Sequence, residues 1–331
     1  MRAVGFTGLM WALALCGALG LSYWASLPQA ETAGKFFSQQ LDVAKIEQIE
    51  LISSKATFTA FKNSDQLGRW WIEILRKSLK DKVGGEIEQG PVRFLASERF
   101  NEYLQELSKL PVIRDIGVVA EDRLNEFGLR EPDGTLVIKN SGTELSVELL
   151  VGKQLFGSQS IYIMRKSDNR ILLVDADLIT DLTNPESRFF ERRVVDSPIQ
   201  EAEVIVVSSA DKQVKMRRSK QDANGVVQWV SSLDLSKDIE GAGAWVEQLA
   251  RLKAAKYADK ATQDKLVGSP TVFEAVVTYA EGRSRKIEVR QVKNGSDSEF
   301  YVWSDFLQCH VKVATALTEN LIKELPQIFR G

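Results

Sequence analysis

Cysteine and histidine are almost missing from this chain, which has two cysteines and one histidine among 331 residues. Cys16 belongs to an apolar N-terminal stretch, so Cys309 is the one thiol in the rest of the sequence and cannot form an internal disulfide there. The single imidazole, His310, excludes every zinc site that needs two or more histidines. Stability must therefore come from packing, and carboxylates are the only general option for a metal site.

A large net charge of either sign is also missing. The formal net charge is −2 and the isoelectric point is about 5.8, so no overall positive field exists to hold nucleic acid. Hydrophobic residues make up 44% of the sequence and charged residues 27%, which is typical of a globular protein and not of a disordered one. We expect no nucleic-acid partner.

The N-terminal stretch has no Asp, Glu, Lys or Arg between Arg2 and Glu31. A helix of about 20 apolar residues covers the roughly 30 Å hydrocarbon core of a bilayer. The sequence therefore predicts a transmembrane anchor over residues 1–27 and a tether over residues 28–41. Because Arg2 precedes the apolar stretch, we expect a cytoplasmic N-terminus and an extracytoplasmic, periplasmic location for the bulk of the chain.

A cleaved signal peptide is the alternative interpretation of this stretch, with Ala18 and Gly20 as small residues that a peptidase could accept. The apolar stretch continues past that point, and Tyr23 and Trp24 suit the aromatic belt at a membrane interface. These features favour retention. They predict a single-pass protein of the inner membrane.

Small residues recur at every fourth position of the predicted anchor, at Gly8, Ala12, Cys16 and Gly20. This spacing places them on one face of a helix, where two helix backbones can approach closely. An Ala- and Gly-rich segment also produces such strips by chance. The functional interpretation is a packing face for the transmembrane helix of a partner protein.

An internal repeat organises the rest of the sequence. Residues 161–182 align without gaps with residues 300–321 at a shift of 139 positions, and Pro132 falls in step with Pro270 at a shift of 138. Both copies also contain a helix pattern in which apolar residues recur at i, i+4 and i+7. These residues are Phe100, Leu104 and Leu107 in the first copy and Trp245, Leu249 and Leu252 in the second.

Each copy has alternating strand patterns, then the helix, then more strands, and finally a short closing helix with Pro185 or Pro326 just beyond it. Strands interrupted by single helices indicate an α+β fold with mainly antiparallel sheet. We therefore predict two tandem α+β repeats, over residues 42–190 and 200–331, each with one core helix and one short closing helix.

The first copy resembles a family of bacterial envelope proteins classed as a domain of unknown function. The resemblance rests on residues 126–129 (EFGL) with Pro132, residues 150–153 (LVGK), Tyr162, residues 172–178 (LLVDADL) and residues 188–195 (RFFERRVV). The second copy departs from the pattern, because Lys265, Leu266 and Val267 stand where Phe127, Gly128 and Leu129 stand in the first.

This family is often encoded beside gliding-motility-type ABC transporter subunits. The resemblance implies a membrane-anchored accessory or scaffold protein of a transport or motility machine, with transporter subunits as transmembrane partners. It implies no catalytic residues and no cofactor, so we expect no enzymatic activity. The alternative is an extracytoplasmic binding module for an envelope glycan or lipid, held in a groove between the two copies.

Two groups of residues offer chemistry without establishing it. Cys309 and His310 are adjacent, so on a strand their side chains project to opposite faces and cannot easily form a nucleophilic dyad. Asp175, Asp177 and Asp181 suit a hard cation, but aspartates at the start of a short helix are more simply caps. The sequence therefore names no catalytic, cofactor or metal residue.

Paired tryptophans and clustered basic residues suggest contacts with partners. Trp70 and Trp71 adjoin in a predicted strand, so we expect one to fill the core and the other to lie near the surface. Basic residues cluster at positions 188–193, 212–220 and 283–290, where neighbouring acids make solvated faces the simpler interpretation. A contact between one of these patches and anionic lipid is the sharper alternative.

Overall fold

The structure is a computed structural model, and it describes residues 41–62, 68–77, 79–80, 86–87, 91–141, 146–219, 227–294 and 297–330. The chain folds into two compact units. The first unit takes the chain up to Phe61 together with Phe100–Pro185, and the second takes Lys62–Arg99 together with Glu186–Gly331. Both units are built from antiparallel strands and helices, so the α+β class is confirmed.

The strands of the first half of the chain are numbered in sequence order. They are β1 Ile46–Ser53, β2 Ala56–Lys62, β3 Trp70–Arg76, β4 Leu79–Lys80, β5 Glu86–Ile87, β6 Val92–Leu95, β7 Val112–Val118, β8 Gly134–Asn140, β9 Ser146–Gln154, β10 Ser160–Arg165 and β11 Arg170–Asp175. The helices here are α1 Glu98–Lys109, α2 Asp177–Thr183 and α3 Pro185–Arg188, with a 3-10 helix at Glu121–Phe127.

The second half begins after a short 3-10 helix at Ile199–Glu201. Its strands are β12 Val204–Ser209, β13 Lys212–Arg218, β14 Trp229–Ser231, β15 Lys256–Tyr257, β16 Thr271–Thr278, β17 Ser284–Asn294, β18 Asp297–Ser304 and β19 His310–Lys312. Its helices are α4 Ala242–Ala250, α5 Lys260–Val267 and α6 Thr315–Ile328.

In the first unit, seven strands lie in the order β2-β1-β8-β9-β10-β11-β7, and every neighbouring pair is antiparallel. Strand β1 alternates between buried and more exposed side chains, because Ile49 and Leu51 point into the core while Glu50 points away. Helix α1 buries Phe100, Tyr103, Leu104 and Leu107, the face that its apolar spacing predicts. The core of this unit therefore lies between the sheet and α1.

In the second unit, eight strands lie in the order β14-β13-β12-β16-β17-β18-β19-β15, again all antiparallel. The same unit contains the antiparallel pairs β3–β6 and β4–β5. Helix α4 buries Trp245 completely, and the indole N–H of Trp245 donates to the carbonyl oxygen of Leu321 on α6 at 3.0 Å. This bond joins α4 to α6 and satisfies a buried polar group.

Candidate functional site

Some of the residues that produce the family resemblance meet in one hydrophobic cluster of the first unit. Phe127, Leu129, Met164 and Ile171 form this cluster, and Tyr162 packs against it. The rings of Phe127 and Tyr162 meet edge to face, with their centroids 5.0 Å apart. Residues from separate motifs therefore pack against one another, and none of these side chains offers a reactive group.

Two glycines of the motifs allow this cluster to close. Gly128 ends the 3-10 helix with a left-handed backbone (φ 68°), and an added Cβ would lie 2.8 Å from the backbone nitrogen of Lys153. Gly152 lies within β9, which continues to Gln154. It is a glycine because a Cβ would lie only 2.3 Å from the carbonyl oxygen of Phe127.

The motif at residues 188–195 forms backbone bonds to two other segments of the second unit. The carbonyl of Phe189 accepts from the N–H of Ser97 at 2.7 Å, and the carbonyl of Arg192 accepts from the N–H of Ala254 at 2.9 Å. Within the motif, the buried carboxylate of Glu191 accepts from the guanidinium of Arg193, which raises the pKa of Arg193. These bonds hold separate segments of the second unit together, so the role of this motif is structural.

A cleft of about 390 Å³ lies in the second unit. It is formed by residues of β3 and β6, the start of α5 and the segment before β19. The lining residues are Trp71, Glu73, Pro91, Arg93, Ala258, Lys260, Gln263, Gln308 and Cys309. Of these, the sequence pattern had singled out only Trp71 and Cys309, because the cleft assembles residues more than 200 positions apart.

Cys309 and His310 do not form a dyad. The thiol of Cys309 donates to the carbonyl of Leu307, whereas His310 Nδ1 lies 2.8 Å from Gln263 Oε1. Burial raises the pKa of Cys309 to about 12 and lowers the pKa of His310 to about 4. At neutral pH the thiol therefore keeps its proton and the imidazole is neutral, which is the opposite of an activated thiolate–imidazolium pair.

The tryptophan pair differs from its prediction. Trp70 and Trp71 are both buried, with 6% and 4% of their surfaces exposed, so neither is the surface residue that we expected. Long basic side chains cover both rings. Lys62 Nζ lies 5.3 Å from the ring centroid of Trp70, and the guanidinium carbon of Arg93 lies 4.9 Å from that of Trp71. Alternation along a strand did not predict this cover because it comes from other segments.

The three aspartates lie on the wall of a second cleft, of about 280 Å³, in the first unit. Asp175 accepts a hydrogen bond from the backbone N–H of Asp177 at 2.9 Å, which is the capping role that the sequence indicated. Across the described residues, no group of His, Cys, Asp or Glu side chains is arranged to hold a metal ion. This cleft is therefore an acidic surface beside a helix start.

Among the large apolar residues that the structure describes, Phe156, at the tip of the β9–β10 hairpin, is the most exposed. Its side chain is as accessible as in an extended chain, at 102%. The turn is held by hydrogen bonds from the N–H of Leu155 to the carbonyl of Ser160 and from the N–H of Ser158 to the carbonyl of Leu155. The turn therefore presents an aromatic ring to solvent from an ordered backbone.

The predicted anchor residues Gly8, Ala12, Cys16, Gly20, Tyr23 and Trp24 lie outside the described residues, as does the tether up to residue 40. Among the helices that the structure describes, none is both long enough and apolar enough to cross a bilayer. The membrane interface and the helix-packing strip stay predictions.

The fold and the motif cluster define an α+β protein of antiparallel sheets. Residues 118–268 match the family model described as Domain of unknown function (DUF4340). This region includes every motif on which the resemblance rests, so the resemblance to this family is confirmed over residues 118–268. Curated proteins and solved structures give no match to the chain.

Proposed function

We propose that this chain is a membrane-anchored extracytoplasmic accessory or scaffold protein, without catalytic activity, that works beside an ABC-type transporter or a gliding-motility-like envelope machine. The apolar N-terminal stretch supports the anchor, and the domain match supports the family on which this expectation rests. The proposed location is the inner membrane, with the N-terminus in the cytoplasm and the bulk of the chain in the periplasm. The partners are transmembrane subunits of the transporter.

We also propose that the exported region is a tandem duplication. The order β2-β1-β8-β9-β10-β11-β7 corresponds strand for strand to β13-β12-β16-β17-β18-β19-β15. Helix α1 occupies the same place in the first sequence as α4 does in the second, before the strands β7 and β15. Agreement in strand order across seven strands supports a common origin better than a short sequence alignment does.

One junction supports the duplication through a difference between the copies. At the shift of 138 positions that relates Pro132 to Pro270, Gly152 corresponds to Arg290. Gly152 lies against the carbonyl of Phe127, whereas the Arg290 guanidinium donates to the carbonyls of Leu266 and Val267. In the first copy, β9 contacts the segment before Pro132 by close approach at Gly152. In the second copy, the corresponding strand β17 contacts the segment before Pro270 through hydrogen bonds from Arg290.

Phe156 is the observation on which the scaffold proposal depends most. A fully exposed phenylalanine leaves a large apolar surface in water, where its burial in a partner would gain about 25 cal/mol per Å². Aromatic residues are over-represented among the residues that dominate binding energy at protein interfaces. An aromatic side chain at the tip of a hydrogen-bonded hairpin is therefore suited to enter an apolar pocket of a partner protein.

Phe156→Ser is expected to reduce the recovery of ABC-type transporter subunits at least several-fold when the tagged full chain is purified from native membranes in mild detergent. Mass spectrometry and quantitative blotting measure the recovery. The ring is lost from the contact while the backbone bonds of the turn remain. Val267→Ser is the matched control, because Val267 is another exposed apolar residue (74%) and should leave recovery unchanged. Equal recovery with all three proteins would contradict the role of Phe156.

The small-residue strip supplies a second test of the proposal. Gly8→Leu combined with Ala12→Leu should weaken recovery of the membrane partner without changing membrane insertion, because bulky side chains prevent close approach of two helices. Carbonate extraction of membranes checks insertion, and the same co-purification measures the partner. Unchanged recovery would remove the strip from the interface.

A binding module for an envelope glycan or lipid is the second candidate function, and the cleft between β3–β6 and α5 favours it. Its volume of about 390 Å³ lies in the range of small-molecule sites. Co-purification separates the two candidates. Transporter subunits without a retained small molecule support the scaffold, whereas a retained glycan or lipid without such subunits supports the binding module.

A further inference from the structure

The cleft of the second unit has basic side chains on walls that come from different elements. Arg93 extends from β6 and Lys260 is the first residue of α5; both are exposed and both line the cleft. Glu73 of β3 is the one acidic residue among the described residues that line it. These three side chains carry a net charge of +1, so the lining attracts a negatively charged group. The positive charge is local, because the formal net charge of the whole chain is −2.

Arg93 is positioned to recognise an oxyanion. Its guanidinium carbon lies 4.9 Å from the ring centroid of Trp71, and Trp71 is buried in the wall. A guanidinium that lies on an aromatic ring is held in one orientation, and this lowers the entropy lost on binding. The planar fork of donors in a guanidinium matches the two oxygens of a carboxylate or phosphate.

Two further groups bear on the ligand that the cleft would accept. The indole nitrogen of Trp71 is buried and has no hydrogen-bond partner in the described part of the chain. Buried donors of this kind are costly unless an acceptor reaches them. Glu73 lies directly opposite Arg93 in the strand register, so its charge opposes the entry of an anion and provides a residue whose removal should strengthen binding.

We propose that this cleft binds an oxyanion, a phosphate or carboxylate group carried by the ligand, with Arg93 and Lys260 as its ligand-binding residues. The proposal deepens the second candidate function and does not depend on the scaffold role. Its failure would leave the Phe156 experiment unaffected, since Phe156 belongs to the other unit. The shared chemistry includes a lipid headgroup phosphate and an acidic glycan.

The test uses the full chain in mild detergent at constant ionic strength, titrated with inorganic phosphate and, separately, with acetate. Tryptophan fluorescence reports binding because Trp71 lies under Arg93. We expect a saturable change with a dissociation constant in the millimolar range for at least one anion. Arg93→Gln and Lys260→Gln should each weaken binding about tenfold, and Arg93→Lys should give an intermediate loss because it keeps charge without the fork.

Two further variants make the result decisive. Glu73→Gln should tighten binding several-fold, because the opposing charge is removed while the side-chain shape is kept. Arg251→Gln should change nothing, because Arg251 is exposed and does not line the cleft. A response that is absent, that does not saturate, or that falls equally in Arg251→Gln would overturn the proposal. Circular dichroism melting checks that each variant is folded.

A final comparison identifies the source of the oxyanion. Glucose 6-phosphate represents a glycan-borne phosphate, and dihexanoyl phosphatidylglycerol represents a lipid headgroup. The tighter of the two probes indicates the source, and either order supports the proposal when Arg93→Gln weakens both. Binding of both probes that is insensitive to Arg93→Gln would overturn it.

Discussion

Gly152→Ala is expected to destabilise the first unit by about 3 kcal/mol, near the upper end of the cost of overpacking a core. The new Cβ would lie 2.3 Å from the carbonyl oxygen of Phe127, and that contact involves backbone that cannot rotate away. Leu129 also lies 3.0 Å from the same position. Urea denaturation of the full chain, followed by hydrogen exchange of peptides from residues 120–175, measures the loss and locates it.

Gly157→Ala is the matched control for this prediction. Gly157 has a left-handed backbone (φ 74°), but no atom lies within 4 Å of an added Cβ, so the substitution incurs conformational strain without crowding. It should cost about 1 kcal/mol. A Gly152→Ala protein that is no less stable than Gly157→Ala would show that the close approach to Phe127 contributes nothing.

Arg290→Ala is expected to destabilise the second unit by about 3 kcal/mol, because removing one partner of a largely buried ion pair leaves the other groups unsatisfied. The guanidinium donates to the carbonyls of Leu266, Val267 and Ser269 at 2.6, 3.2 and 3.0 Å. It also pairs with Glu288 at 2.9 Å, where both side chains are about one-sixth exposed. Denaturation with hydrogen exchange of residues 260–292 measures the effect.

Arg290→Lys and Arg251→Ala are the controls for Arg290. Lysine keeps the charge but cannot reach several carbonyls with a planar fork, so its loss should be intermediate. Arg251 is exposed, and its removal should change stability by less than about 0.5 kcal/mol. Equal stability of Arg290→Ala and Arg251→Ala would contradict the bridging role.

The ion pair between Arg290 and Glu288 makes the stability of the second unit depend on pH, and Arg290→Ala should reduce this dependence. Burial opposes ionisation of Glu288, but hydrogen bonds from Lys286 and Arg290 outweigh it and lower the pKa of Glu288. A lowered folded-state pKa contributes stability above the unfolded-state pKa, and this stability is lost as the pH falls through the folded-state value. The free energy of unfolding of Arg290→Ala should therefore fall less steeply than that of the unchanged protein as the pH is lowered.

Much of the secondary structure could be predicted because it depends on local patterns. The helix pattern of Phe100, Leu104 and Leu107 was found in α1, where all three residues are buried as their spacing predicts. The repeated segment of residues 161–182 contains β11, which buries four consecutive residues and is therefore covered on both faces. Edge strand β7 was missed because none of its seven residues is fully buried and Gly117 interrupts its alternation.

Two helices of the second unit differ from their predictions. Helix α5 was missed because only Leu266 is buried along it, although Asp259 caps the Thr262 N–H in the usual way. Helix α6 was predicted to end before Pro326, which is wrong. The helix continues to Ile328 because Leu325 and Ile328 are both buried on its core side.

The sites were less predictable than the strands because they depend on contacts between distant segments. Gly128 and Gly152 belong to the motifs of the family resemblance, but only the folded chain shows that each faces the backbone of the other motif. The cleft brings Arg93 beside Lys260 and Gln308, which no spacing rule relates. Sequence periodicity reports which face of an element is buried and carries no information about which element covers it.

The interleaving of the two units constrains the order in which the polypeptide can fold as it is made. Everything that the first unit needs has emerged by Pro185, but Lys62–Arg99, which lies within that span, belongs to the second unit. Those 38 residues must wait through the synthesis of the next 86 residues, 100–185, before the rest of the second unit begins to appear. A nascent chain therefore passes through a stage in which the first unit can fold while Lys62–Arg99 still lack the rest of the second unit. A chaperone that binds unfolded segments would be most useful at that stage.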